Sequence, residues 1–302
     1  MKRTVSLLAL GGMVLAPLPA QAEDGVFTPS GNWIADYGDD YCRLVRTFTD
    51  GKDEVSLGLE RIQPGAQVRL ILIGNSLRPF RGADQLGYQF LPAGGALKTR
   101  YVRSRTGDDK QYLALDAVTL APFVFTPPAP GTPPAPPPVY SRDKEQETAQ
   151  AITAVSLSEG LIAPVRFETG SLKAPMAALQ ACADDLLQVW GLDPEKHKTL
   201  TANAFPNLTP DGWLPQGTIP FTEFSKFAGG ANQVRMLIGV DGKPSSCTIY
   251  SPSLAQSLNA RICSILMEKA SFAPAKDAAG QAMASYWMGS PIMLGPRPGG
   301  RR

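Results

Sequence analysis

The chain has 302 residues, 43% hydrophobic and 19% charged, enough for two modest domains with apolar cores. The formal net charge is +2, and two of the 29 basic residues are Lys2 and Arg3; without them 27 basic residues balance 27 acidic ones. That balance leaves no global field to hold nucleic acid or an anionic membrane, which excludes a general polyanion binder.

The N-terminus carries the charged pair Lys2-Arg3, then an apolar stretch from Val5 to Leu18 broken by Pro17 and Pro19, then Ala20-Gln21-Ala22. That order reads as a cleavable signal peptide over residues 1–22, with Glu23 as the first mature residue. A spanning helix needs roughly 20 apolar residues. This stretch is shorter and contains Gly11, Gly12 and Pro17. The mature chain is therefore expected in an oxidising compartment without membrane insertion.

Residues 23–126 are expected to form a β-rich domain. Glu54 to Leu59 and Gln67 to Leu70 alternate polar and apolar positions around the turn signal Pro64-Gly65. Asp50-Gly51 and Gly107-Asp108 punctuate the segment in the same way. The strand over 97–105 carries Lys98, Arg100, Arg103 and Arg105, which suits a solvated sheet face better than a basic groove. Residues 127–139 form a proline-rich linker. Its run 127–138 has polyproline character and an extended length of about 37 Å.

Residues 140–203 are expected to continue the N-terminal domain. Ser141 suits the cap of a short polar helix, and 152–168 looks like a hairpin. A well-marked helix follows, with Pro175 in its first turn, a stripe of Met176, Leu179, Cys182, Leu186 and Trp190, and Gly191 past its end. Glu168-Thr169-Gly170-Ser171 has a faint look of an aspartic-protease turn. It lacks the second carboxylate that chemistry requires and leads straight into the helix. His197, the only histidine, lies in a polar run and reads as an exposed loop residue. Without a second histidine or a patterned acid there is no triad. The pairs Asp39-Asp40 and Asp184-Asp185 diverge in direction along either a strand or a helix.

The last domain is expected over 204–296, with a tail at 297–302. Val234, Met236, Ile238 and Val240 alternate along one strand, Asp241-Gly242 turns the chain, and Ser246 to Tyr250 returns it. Leu258, Ile262, Ile265 and Leu266 follow a helical period; Phe272-Ala273-Pro274 ends the helix, and Gly280 precedes a final strand. The four cysteines stand alone, without Cys-x-x-Cys spacing, so neither metal nor cofactor is expected and disulfides are. Cys247 shares a strand face with Ile249, and Cys263 adjoins Ile262 and Leu266 on the covering helix. That predicts Cys247–Cys263 and leaves Cys42 for Cys182.

The C-terminal motifs Val240-Asp241-Gly242-Lys243, Ser251-Pro252-Ser253, Leu258-Asn259, Phe272-Ala273-Pro274-Ala275 and Gly280 stand in an order that resembles the C-terminal domain of TonB energy transducers, over about 219–295. Ile219-Pro220 stands where that family usually has Tyr-Pro, and Cys247 and Cys263 are additions to its pattern. The resulting fold expectation is α+β: a β-rich N-terminal domain with one helix, a proline-rich insertion, then a small β-β-α-β domain. The resemblance implies a periplasmic, non-enzymatic binding or envelope protein that accepts an extended peptide by β-augmentation, with an outer-membrane receptor or other envelope protein as partner. Its expected edge is Ala284, Ser285, Tyr286, Trp287 and Met288. The alternative is an energy-transducing component of outer-membrane transport with a retained N-terminal anchor.

Overall fold

The computed structural model describes residues 25–92, 94–120, 138–208, 212–230 and 232–290. The expected signal peptide, the proline-rich run up to residue 137 and the tail at 297–302 lie outside these residues.

Ten strands make one sheet: β1 (Gly25–Pro29), β2 (Ile34–Gly38), β3 (Tyr41–Thr49), β4 (Glu54–Arg61), β5 (Gln67–Ile73), β6 (Gln85–Leu91), β7 (Leu97–Arg105), β8 (Gln111–Thr119), β9 (Ala154–Leu157) and β10 (Val165–Phe167). Their order is β1-β10-β9-β6-β7-β8-β5-β4-β3-β2, and β1 also pairs with the end of β3. Nine strands thus close into a barrel, and β2 lies against the first half of β3 as a tenth. Every contact around the ring is antiparallel except β1 against β10, where Gly25 faces Val165 and Phe27 faces Phe167.

Period-two alternation dictates what the ring encloses. Leu44 and Phe48, Val55, Leu57 and Leu59, Leu70 and Leu72, and Leu113 and Leu115 all point inward and are buried. Phe27, Phe48 and Phe167 pack ring on ring, with centroids 5.4 and 5.5 Å apart. Arg43, Glu60, Arg69 and Asp116 occupy outward positions on the same strands. Over these positions the interior is apolar, and this group of four charges lies outside.

Two helices, α1 (Arg142–Ala151) and α2 (Lys173–Val189), pack on one another and, through α2, on β3 and β4. Ser141 caps α1 by accepting from the Lys144 amide. Met176, Leu179, Cys182 and Leu186 of α2 join the barrel core, and Cys182 is bonded to Cys42 with Cα atoms 5.9 Å apart. Beside that bond Arg61 turns inward from the end of β4. Its Nη2 meets Glu145 Oε1 at 2.7 Å, the Tyr140 hydroxyl donates to the same carboxylate, and Gln180 Nε2 reaches Tyr140 at 2.8 Å. Burial pushes the Tyr140 phenol up to about 12.

The rest of the chain contains α3 (Pro194–Lys198), β11 (Phe205–Pro206), a 3-10 helix at Phe221–Gly230, β12 (Gln233–Ile238), β13 (Pro244–Tyr250), α4 (Gln256–Lys269), β14 (Phe272–Ala273), β15 (Ala275–Lys276), β16 (Ala282–Met283) and β17 (Ser285–Gly289). The sheet order is β13-β12-β17, all antiparallel. Val234, Met236 and Ile238 pack with Ile262 and Leu266 of α4, Phe272 and Trp213. Cys247 on β13 is bonded to Cys263 on α4, with Cα atoms 5.6 Å apart.

This architecture corrects the α+β expectation. The dominant feature is a closed nine-stranded barrel with only a few short helices; the hairpin expected over 152–168 does form, as β9 and β10, and both of its strands are staves of that barrel. The C-terminal part is not a small β-β-α-β domain either. Short ladders β11–β14 and β15–β16 interrupt that order, and β11 enters from before the 3-10 helix. Closure is missed because it is made by short strands far apart in sequence: five residues at 25–29 and three at 165–167 carry too little alternation to announce a partner. A smaller correction concerns Val240, which lies beyond the end of β12 in the turn and is exposed.

Candidate functional site

The three-stranded sheet lies between two layers. On one face Val234, Met236, Ile238 and Trp287 meet the α4 layer, with Trp287 against Trp213 and Phe272 at 5.3 and 5.9 Å between ring centroids. On the other face Leu237 and Tyr286 meet the barrel core. Tyr286 packs edge-on to Trp190 at 5.2 Å, and its hydroxyl donates to the Pro64 carbonyl at 2.7 Å. The Arg235 guanidinium lies 4.4 Å over the Trp190 ring and donates to Asp40 at 2.7 Å. The 3-10 helix adds contacts to β7 and β8.

β17 ends this sheet: β12 pairs with one of its sides, and among the described residues no strand pairs with the other. An edge of this kind presents main-chain donors and acceptors to any extended segment that approaches. The five residues expected as a binding edge behave differently. Ala284 is exposed, Trp287 and Met288 are half-buried, Tyr286 is packed against the barrel, and the Ser285 side is only 2% exposed.

Ser285 is covered by His197. The imidazole Nε2 lies 3.1 Å from Ser285 Oγ, Nδ1 lies 2.7 Å from the Asp193 carbonyl, and the ring stacks on Tyr286 with centroids 6.2 Å apart. This corrects the reading of His197 as an exposed loop residue. It sits in α3, whose start is capped by the Asp193 side chain accepting from the Glu195 and Lys196 amides. Burial pushes the imidazole pKa below its usual value, against the pull of Asp193 and Asp184. Nothing in the sequence announces this contact, because His197 and Ser285 are 88 residues apart.

Other candidates are engaged in ordinary structural work. Glu168 pairs with Arg166 at 2.7 Å, and Asp184 holds Arg142 bidentately at 2.7 and 3.0 Å. Of the basic strand, Lys98 pairs with Glu159 and Arg105 with Asp109, and Arg103 donates to Gln111. Among the described residues no group of three or more His, Cys, Asp or Glu side chains is arranged to hold a metal ion.

A cleft of about 460 Å³ opens where the barrel meets β13, lined by Tyr41, Arg43, Glu60, Arg69, Tyr250 and Ser251 among others. At its floor the buried Glu60 accepts from Arg43 Nε at 2.8 Å and from Arg69 Nη1 at 2.9 Å, and Arg69 Nε donates to Asp116 at 2.6 Å. Burial opposes charge on Arg69, but Asp116 and Glu60 outweigh it and hold the guanidinium protonated. The network ties four strands together across their outer faces.

No helix among the described residues is long and apolar enough to cross a membrane. Comparison of the chain with family models, with curated proteins and with solved structures yields no match.

Proposed function

We propose that the chain is a non-enzymatic periplasmic binding protein of the cell envelope, and that the free side of β17 accepts an extended segment of an outer-membrane receptor or other envelope protein. The observation that carries this reading is the position of β17 at the end of its sheet with no strand beyond it. Main-chain pairing would supply affinity with weak sequence preference, and the side chains at the rim would select residues. Support for the compartment comes from the signal-like N-terminus and the two disulfides, which persist where thiols are oxidised. Support for a non-catalytic role comes from the side chains themselves: Glu168, Asp184 and Asp40 are each paired with an arginine, and the one imidazole faces a hydroxyl that is buried.

The test is a proline scan of 284–288 in the full-length protein, with a photocrosslinker at Met288 and envelope extract as the source of partners. Proline at a position whose amide points outward removes a ladder donor, and at Ala284 or Met288 it does so without deleting a ring from either packed layer, as it would at Tyr286 or Trp287. Captured peptides should map to extended segments, and capture should fall at one or two scan positions. Capture untouched by the whole scan would move the binding surface to the cleft between barrel and β13. Cleavage of a peptide library that disappears with Glu168→Gln would overturn the non-enzymatic reading.

A further inference from the structure

Consecutive residues of a strand point to opposite faces of a sheet. Ser285 lies on the α4 side, opposite Ile238, and Tyr286 on the barrel side, opposite Leu237. One imidazole nevertheless bonds the Ser285 hydroxyl and stacks on the Tyr286 ring. A side chain can touch both faces here only by lying across the free edge or around the start of the strand, since Ser285 is its first residue. His197 therefore covers β17 at its first two residues, at the place where an added strand would begin.

We propose that α3 is an autoinhibitory plug on the β17 edge, held by His197 as a proton-sensitive latch, so that an extended peptide pairs fully with β17 only after α3 has lifted. The proposal rests on the reading of β17 as a peptide-binding edge. A plugged edge answers a problem that a free one creates, since an unpaired strand also recruits unwanted partners.

The charged surroundings fix the sign of the pH response. Asp193 faces the ring from the start of α3 and Asp184 from α2, and both favour the imidazolium. Lys198 is tied to Glu195 and Asp184, and Tyr286 is neutral, its phenol pushed up by burial. Burial wins, and the seated ring is harder to protonate than a released one, which titrates near its ordinary value of about 6.5. Protons therefore bind the lifted state preferentially. The closed state is favoured above about pH 6.5 and loses ground as pH falls from there towards the lower value of the seated ring.

Hydrogen exchange of the 285–289 amides in the full-length protein, corrected for intrinsic rates, reads the plug without any ligand. Between about pH 7.5 and about pH 5.5 the opening equilibrium of the wild type should rise roughly threefold to tenfold, within the tenfold per pH unit that one proton allows. His197→Gln, which can bond but not titrate, should remove the pH dependence. His197→Ala should exchange fast at both values, with an unchanged circular dichroism spectrum excluding general unfolding. A wild-type profile that is flat after correction, or a His197→Ala variant that exchanges no faster, overturns the plug. An array of synthetic dodecapeptides separates the two ideas. Peptides bound equally well at both pH values by wild type and His197→Ala would leave the edge as the binding site and remove the latch. Opening that responds to pH with no peptide bound would leave the latch and remove the peptide reading.

Discussion

Arg61 at the end of β4 and Glu145 of α1, 84 residues apart in sequence, form a buried ion pair with side chains only 1% and 6% exposed. Such a pair is costly to break from one side, because the remaining charge is stranded in a medium that cannot solvate it. Arg61→Met or Glu145→Leu alone should cost about 3–5 kcal/mol. The double replacement should cost less than the sum, although Tyr140 and Gln180 then lose a shared acceptor. Urea denaturation of the four proteins as a double-mutant cycle measures the coupling.

The two disulfides should contribute unequally. Cys247 and Cys263 are 16 residues apart, and their loop is worth about 3 kcal/mol in the chain-entropy account; Cys42 and Cys182 are 140 apart, which raises the value to about 5 kcal/mol. Alanine pairs at each site, compared by denaturation midpoint, should rank in that order. The reverse ranking would show that enthalpy in the folded state decides the matter.

Gly242 and Gly280 share a φ of +75°, yet they should answer differently to alanine. The left-handed conformation alone costs about 1–2 kcal/mol for a residue with a Cβ. At Gly280 nothing else is near. At Gly242 a Cβ would overlap the Phe272 carbonyl, which accepts no room because the Phe272 amide is held by the Gly242 carbonyl at 3.0 Å. Gly242→Ala should therefore lower the melting temperature clearly more than Gly280→Ala.

Tyr286 gives an alkaline signature. Its phenol is raised by burial, so it stays neutral in the folded protein while the unfolded chain ionises at its ordinary value of about 10. Its contribution is present below that value and is lost as pH rises beyond it. Tyr286→Phe should lose about 1 kcal/mol at neutral pH, for the bond to Pro64, and show a shallower decline of stability above about pH 10. Stability titrations of the two proteins check both.

Local signals were readable and non-local ones were not, apart from Cys42–Cys182, which follows by elimination once Cys247 is paired with Cys263. The stripe of Met176, Leu179, Cys182 and Leu186, the cap at Ser141 and the neighbourhood of Cys247 and Cys263 each depend on residues within a few turns of one another, and periodicity reports them. The barrel depends on β1 meeting β10, and the edge plug on His197 meeting Ser285. In neither case does the residue type or spacing differ from that of an ordinary strand or a polar surface helix. Arg61 is the instructive exception. Alternation along β4 places it inward with Val55, Leu57 and Leu59, and an inward arginine implies a buried acid even though its identity cannot be read from the sequence.

The parallel contact of β1 with β10 has a consequence for the order of events as the chain folds. Gly25 to Phe27 cannot find its neighbour until Val165 to Phe167 exists, and β3 cannot be covered by α2 before Cys182 is available. The hairpins β3–β4, β4–β5 and β7–β8 can form early, but they make an open sheet whose apolar face has no lid. Ring closure is a late step with a large loop entropy to overcome, which marks this as a slow folder for its size. During that interval Leu57, Leu70 and Leu113 are exposed together, and a nascent chain halted before residue 165 should aggregate unless a holding chaperone shields it.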